Sequence, residues 1–271
     1  YKCWNWFAWN NINNISTGTV NINSGEITST YNYSKTIENE NGIININDST
    51  IKGSQVGIEN NTGQINILSS NSSIISDGTG IYNNSGTVNI KNGTIKGSSK
   101  GIYNGNSGNL ILDAGDISSK YYGIENHGNF QMNNGNISAS SVGVYLADNS
   151  ISTIAGGKIS YFSYGLYGNK VALFGINVLD KSVANVSSVS IEGFKKGISV
   201  EGTLNYGIKG DTDSDGNLNV SKENPIINVS DIGIDVTSKG IFNFYDGKVI
   251  GNTAISGIVN EIEDGYQIIL E

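Results

Sequence analysis

The chain contains no arginine: all 16 of its basic residues are lysine, against 24 acidic residues. Histidine, cysteine, methionine and proline occur once each, as His127, Cys3, Met132 and Pro225. Each scarcity removes a class of function. Without arginine there is no bidentate grip on phosphate or carboxylate. One histidine cannot build a two- or three-histidine metal site, and histidine-based catalysis has only His127 to use. One cysteine rules out an internal disulfide framework. The net charge of −8, with no basic run, argues against nucleic acid, whose backbone it would repel. No apolar run approaches the roughly 18 residues of a membrane span, so membrane insertion is not expected. The opening residues lack the basic-then-apolar pattern of a signal peptide, so the chain reads as a mature domain or a piece of something longer.

What is abundant is glycine, 36 residues of it, and the glycines recur with a period. Gly-Ile-x-Asn occurs at Gly57, Gly80, Gly101 and Gly123, with weaker copies at Gly143, Gly165, Gly197, Gly233 and Gly257 and a degenerate one at Thr36. Steps between Gly57 and Gly165 run from 20 to 23 residues. Two further phrases keep the same register. One is Gly93-Thr94-Ile95, repeated as Gly115-Asp116-Ile117 and Gly135-Asn136-Ile137; the other is Ile65-Asn66-Ile67, repeated as Val88-Asn89-Ile90 and Leu110-Ile111-Leu112. After Gly165 the steps lengthen to 32 and 36 residues, leaving either three coils with loop insertions or a fourth, hidden coil.

Each unit therefore holds three short runs of alternating apolar and polar residues, separated by Gly, Asn, Ser or Asp. Alternation with period two reads as half-buried strand. A unit of about 22 residues cannot bury an apolar face alone, whereas stacked units bury a continuous column. The predicted fold is all-β: a single-stranded, right-handed parallel β-helix with three strands per coil and about twelve coils. Propeller blades would need about 40 residues each, and a sandwich would not repeat its turns so regularly. In Gly-Ile-x-Asn, Ile points inward and x outward, and Asn60, Asn83, Asn104 and Asn126 can stack amide on amide. The leading Gly is read as ending the preceding bend, where a Cβ would be penalised.

Residues 1–14 are read as an aromatic N-terminal cap or docking segment, since Trp4, Trp6 and Trp9 hold every tryptophan of the chain, and residues 15–271 as the β-helix. An uncovered first coil exposes strand edges, which favours the cap. The x position lines up Glu59, Tyr82, Tyr103, Glu125, Tyr145 and Tyr167 as an outward stripe, with Tyr121, Tyr122, Tyr161, Phe162 and Tyr164 in nearby turns. Such a stripe suits a glycan or protein ligand; the plain alternative is that stacked tyrosines stabilise adjacent strands.

Asp211, Asp213, Asp215 and Asn217 imitate the start of a calcium loop, with Gly216 at its turn position. The glutamate expected at the twelfth position is replaced by Lys222, and Asp-Gly is equally an ordinary hairpin turn. Calcium is therefore a possible ligand and no other cofactor is implied. For catalysis, Glu59 and Glu125 fall three coils apart, about 14 Å at strand spacing, whereas glycosidase carboxylates lie roughly 5–9.5 Å apart. Glu125 and His127, near Asp148, form the one grouping that resembles acid–base machinery.

The run Gly86-Thr87-Val88-Asn89-Ile90-Lys91-Asn92-Gly93-Thr94-Ile95-Lys96-Gly97, with Gly101-Ile102-Tyr103-Asn104 and the later Phe242-Asn243-Phe244-Tyr245-Asp246-Gly247, resembles the adhesin-like β-helical repeats of large Gram-positive bacterial cell-surface proteins. That resemblance spans most of residues 15–270 and implies an extracellular, cell-surface, non-enzymatic adhesin that binds glycans or host or neighbouring-cell proteins. Two alternatives stay open: a structural stalk or fibre subunit that associates end to end, and a pectate-lyase-like polysaccharide-active enzyme. Enzymes of the latter kind pair an Arg or Lys base with a calcium-binding carboxylate cluster, and no such cluster falls on a strand face here.

Overall fold

A computed structural model describes residues 11–147, 149–163, 173–210 and 225–262. Each coil runs through three short strands, as in Tyr122–Asn126, Asn129–Met132 and Asn136–Ala139. Every strand pairs in parallel with its counterparts one coil before and one coil after. The result, among the described residues, is three sheets of eleven, eleven and ten strands wrapped around one core. This is the predicted all-β parallel solenoid. Its first strand, Ile12–Asn14, already pairs with Lys35–Asn39, so the ladder begins ahead of the boundary read at residue 15.

The core follows directly from the repeat. Ile58, Ile81, Ile102 and Ile124 stack in the first sheet, Ile67, Ile90 and Leu112 in the second, and Ile74, Ile95, Ile117 and Ile137 in the third. All are 0–1% exposed. Burying one such side chain stabilises by about 1.5–3 kcal/mol relative to leaving it in water, and no coil supplies enough of them alone. Toward the C-terminal end Tyr206, Phe242 and Phe244 replace the aliphatic residues, with ring centroids 5.8 and 6.2 Å apart. Burial pushes the Tyr206 hydroxyl well above the ordinary tyrosine range, helped by the Asp246 carboxylate.

Two insertions account for the long steps. Residues 162–173 separate the third-sheet strand Lys158–Tyr161 from the first-sheet strand Phe174–Val178, where the preceding coil uses only Ser140 and Ser141. Residues 207–225 separate Thr203–Tyr206 from Ile226–Asn228. No coil is hidden: Val144, Ile176, Ile198 and Ile234 are direct register neighbours. The repeat copies read at Gly165 and Gly257 are corrected accordingly. The ladder positions are Gly175 and Ala254, while Gly257 has a φ of +103° just beyond the strand.

The role of the Gly-Ile-x-Asn glycine also differs from the bend reading. Gly101 and its equivalents lie inside the strand without a positive φ. A Cβ at Gly101 would stand 2.5 Å from both the Gly123 carbonyl oxygen and Ile117 Cγ2. Glycine is required because the next coil and the third-sheet isoleucine already fill that space. Positive φ belongs instead to the other glycine phrase, as at Gly93, Gly115 and Gly135.

Candidate functional site

The Gly-Ile pair breaks the simple alternation of the first sheet. In Lys100–Asn104 the second, third and fifth residues are buried, so the first and fourth share the outer face. Two columns therefore stand side by side on that face. One is the predicted stripe, and its register is Glu38, Glu59, Tyr82, Tyr103, Glu125 and Tyr145, each directly above the last. The next register neighbour of Tyr145 is Asn177, followed by Ser199. Tyr167 is therefore not the ladder's continuation, and it lies outside the described residues. The second column contributes Lys35, Lys100, Tyr122 and Lys196, which a strict period-two reading assigns to no common face with the stripe.

The two columns are chemically interlocked. Lys35 Nζ contacts Glu38 at 2.5 Å and Glu59 at 2.7 Å, so one ammonium bridges two carboxylates on successive coils. Burial alone would lower the Lys35 pKa, but the bonds to Glu38 and Glu59 outweigh it and hold it raised. The Tyr82 and Tyr103 rings stack with centroids 4.4 Å apart and planes 17° from parallel. His127, just past the next strand, lays its ring 5.1 Å from that of Tyr103. Lys100 Nζ lies 2.9 Å from Glu125 and 5.0 Å from the centre of the Tyr103 ring. Glu125 Oε1 is 3.1 Å from His127 Nε2. Burial raises the Tyr103 pKa, with Tyr82 and Glu125 adding to it. Tyr122 is a strand residue, not a turn residue, and meets Tyr145 edge to face at 5.4 Å.

This packing decides how the stripe can meet a ligand. A sugar stacks on an open aromatic face. Here one face of Tyr82 is turned onto Tyr103, and Tyr103 lies between Tyr82 and His127, so the ring area open to stacking is reduced. Glu59 and Glu125 are separated by the two tyrosine coils, as expected, and Glu125 is engaged by Lys100 and His127 together. Asp148 lies outside the described residues. So do Asp211, Asp213, Asp215 and Asn217, and the tryptophans of residues 1–9. Among the described residues no group of three or more His, Cys, Asp or Glu side chains gathers around a common point.

Behind the stripe runs a feature that carries its rigidity. Asn14, Asn39, Asn60, Asn83, Asn104 and Asn126 form one chain in which each amide donates to the oxygen of the next, at 2.7–2.9 Å. Asn126 ends it by donating to Ser152 Oγ at 3.2 Å. The second N–H of these amides goes to a glycine carbonyl at the following corner, as from Asn60 to Gly63 and Asn83 to Gly86. Every buried polar group in the row is thus paired, which a core position demands. Comparison of the chain with protein-family models, with curated proteins and with solved structures returned no match.

Proposed function

We propose that this solenoid is a ligand-display module of a bacterial cell surface, an adhesin that binds through the outer face of its first sheet without performing chemistry. The observation that carries the reading is the concentration of aromatic residues on one outer face: Tyr82, Tyr103, Tyr122, Tyr145 and Phe174 all belong to first-sheet strands. Tyrosine edges framed by Lys100, Glu125 and His127 offer apolar area, hydroxyls and both charge signs on a fixed lattice. Aromatic residues are enriched at protein-binding surfaces, and because Tyr103 is covered on both sides by Tyr82 and His127, a protein ligand fits better than a stacked sugar. Binding without catalysis is favoured by the two-coil gap between Glu59 and Glu125 and by the pairing of Glu125 with Lys100.

A second reading is favoured by the same contacts. If the stripe exists to knit successive coils together, the chain is a stalk and its tyrosines are structural. One experiment separates the two. The chain is screened against arrays of glycans and of host-surface and extracellular-matrix proteins, then again as Tyr82→Ala and Tyr103→Ala. The adhesin reading expects a reproducible protein signal that falls at least tenfold in both variants. Unchanged binding, or no signal beside a large loss of thermal stability in the variants, overturns it in favour of the stalk. Turnover of an acidic polysaccharide that is abolished by Glu125→Ala and His127→Ala would overturn the non-enzymatic part.

A further inference from the structure

The three outer faces differ in charge. The first sheet presents Lys35, Glu38, Glu59 and Glu125, and the third presents Glu26, Lys52, Lys158 and Glu192. The second sheet presents no charged residue at any outward position over ten consecutive strands, from Thr19–Ile22 to Ile241–Phe244. The eleventh strand of the sheet, Glu261–Ile262, sets Glu261 beside Asn243 in the same column, where Lys209 and Tyr245 bind it; Lys91 and Asp113 sit at the corner beyond the strands and pair with each other at 2.5 Å. A chain of net charge −8 thus has a face ten strands long from which charge has been withheld, with Glu261 only at its C-terminal end. Exposed flat β surfaces ordinarily carry charges that discourage association.

That face is also organised for contact. Its third-position column is largely asparagine, and the amides are already aligned: Asn45 donates to Asn21 at 2.8 Å, Asn66 to Asn45 at 2.7 Å and Asn89 to Asn66 at 2.8 Å. A second row, Asn243 to Asn205 to Asn185, repeats the pattern at 2.8 Å. Each donating amide spends one N–H within its row and has a second to offer outward, while Asn21 and Asn185 only accept at the row ends. Rows of this kind meet identical rows in dry, interdigitated sheet packing.

Over the ten strands before Glu261 the order of residues along the column is close to a palindrome. Turning a second copy by 180° about the strand direction sets Asn21 opposite Asn243, Asn45 opposite Asn205 and Asn66 opposite Asn185. At the centre Ile111 meets Gln131, and in the neighbouring column Asn109 meets Asn129. We propose that the outer face of the second sheet is a self-association surface on which two copies of this chain pair side by side with their long axes antiparallel. Ten strands about 4.8 Å apart and about 13 Å wide cover about 600 Å² per copy, so a pair buries about 1,200 Å², the lower end of the range for specific interfaces. The pairing uses a different sheet from the proposed ligand-binding face and stands or falls independently of it.

Sedimentation analysis of the full chain tests this. We expect a concentration-dependent species of twice the 28.7 kDa monomer mass, strengthened by added salt because screening relieves the repulsion of two acidic chains while the contact itself has no ion pairs. Ile111→Lys with Gln131→Lys is expected to weaken pairing at least tenfold, and Ser118→Lys with Ser138→Lys, on the third sheet, to leave it unchanged. A wild-type chain that stays monomeric at about 100 μM, well above a typical interface's dissociation constant, overturns the proposal, as does equal loss from the third-sheet pair. Spin labels read the orientation without relying on the charged variants. In a Cys3→Ser background, labels at Gln131→Cys should lie close across the pair and labels at Asn21→Cys about 43 Å apart, nine strand spacings. Short distances at both positions would contradict the antiparallel arrangement.

Discussion

Replacing Asn83 by alanine removes the middle of the buried amide row, and its consequence can be worked out group by group. Asn83 is wholly buried. It accepts from Asn60 at 2.8 Å and donates to Asn104 at 2.7 Å and to the Gly86 carbonyl at 2.8 Å. In the alanine variant Gly86 keeps the backbone N–H of Asn109 at 2.9 Å, so it is not orphaned. The side-chain oxygen of Asn104 is, and one N–H of Asn60 is left with only the long 3.4 Å contact to the Thr87 carbonyl. Each unsatisfied buried polar group costs about 1–3 kcal/mol, so the expected loss is about 3–4 kcal/mol. The comparison is Asn66→Ala in the outer row, where Asn66 likewise has bonds to Asn45, Asn89 and Gln64 at 2.7–2.8 Å. Water reaches that row and replaces the bonds, so the expected loss is below about 1 kcal/mol. Equilibrium guanidinium unfolding with unchanged m-values reads both. Asn83→Asp extends the test, because a carboxylate cannot donate to Asn104. Burial raises its folded-state pKa above the unfolded value, so that variant should be most stable in acid and lose stability as pH rises. Equal losses from Asn83→Ala and Asn66→Ala would refute the assignment of rigidity to the inner row.

Two further perturbations separate the forces in the coil. Gly101→Ala should destabilise by about 3 kcal/mol or more, because its Cβ meets backbone and a packed isoleucine that cannot yield. Gly25→Ala, at a φ of +101° with open space around it, should cost only the left-handed penalty of about 1 kcal/mol. The Lys91 bond beside Asp113, with that of Asn133, holds this carboxyl below its ordinary pKa. A lowered folded pKa stabilises above the unfolded value and is lost as pH falls through the folded one, so its contribution disappears below about pH 4. Lys91→Ala should cost no more than about 0.5 kcal/mol at neutral pH, the pair being partly exposed, and should flatten the acid limb of a stability–pH profile. A loss above about 2 kcal/mol at neutral pH would mean the corner is not solvated as described.

The solenoid was legible because its spacing is forced by the structure. From Gly57 to Asn126 every coil must return a glycine, an isoleucine and an asparagine to the same place, and the sequence repeats them. The repeat blurs where those constraints relax. Beyond Asn126 the fifth position becomes Leu146, Val178 and Val200, since the amide row has ended and aliphatic packing takes over. Without that asparagine Phe174-Gly175-Ile176-Asn177-Val178 does not match the phrase, and the look-alike at Gly165 matches it better. At Ala254 the glycine itself lapses, because no further strand pairs above it among the described residues. The stripe from Glu59 to Tyr145 was readable as a column, but its partners Lys35 and Lys100 were not. They share its face only because two consecutive residues, Gly and Ile, both turn inward.

The contiguity of that stripe underlies both the proposed binding face and the register of the whole ladder. It can be measured with paired cysteines in a Cys3→Ser background under mild oxidation. Tyr82 and Tyr103 are register neighbours, whose Cα atoms lie about 4.8 Å apart in a parallel pair, within the range a disulfide spans. Tyr82 and Glu125 are two coils apart, beyond that range. The Tyr82→Cys/Tyr103→Cys chain should form its disulfide rapidly and gain stability, while Tyr82→Cys/Glu125→Cys should stay reduced. Failure of the first pair, or ready closure of the second, would contradict the coil register on which the account rests.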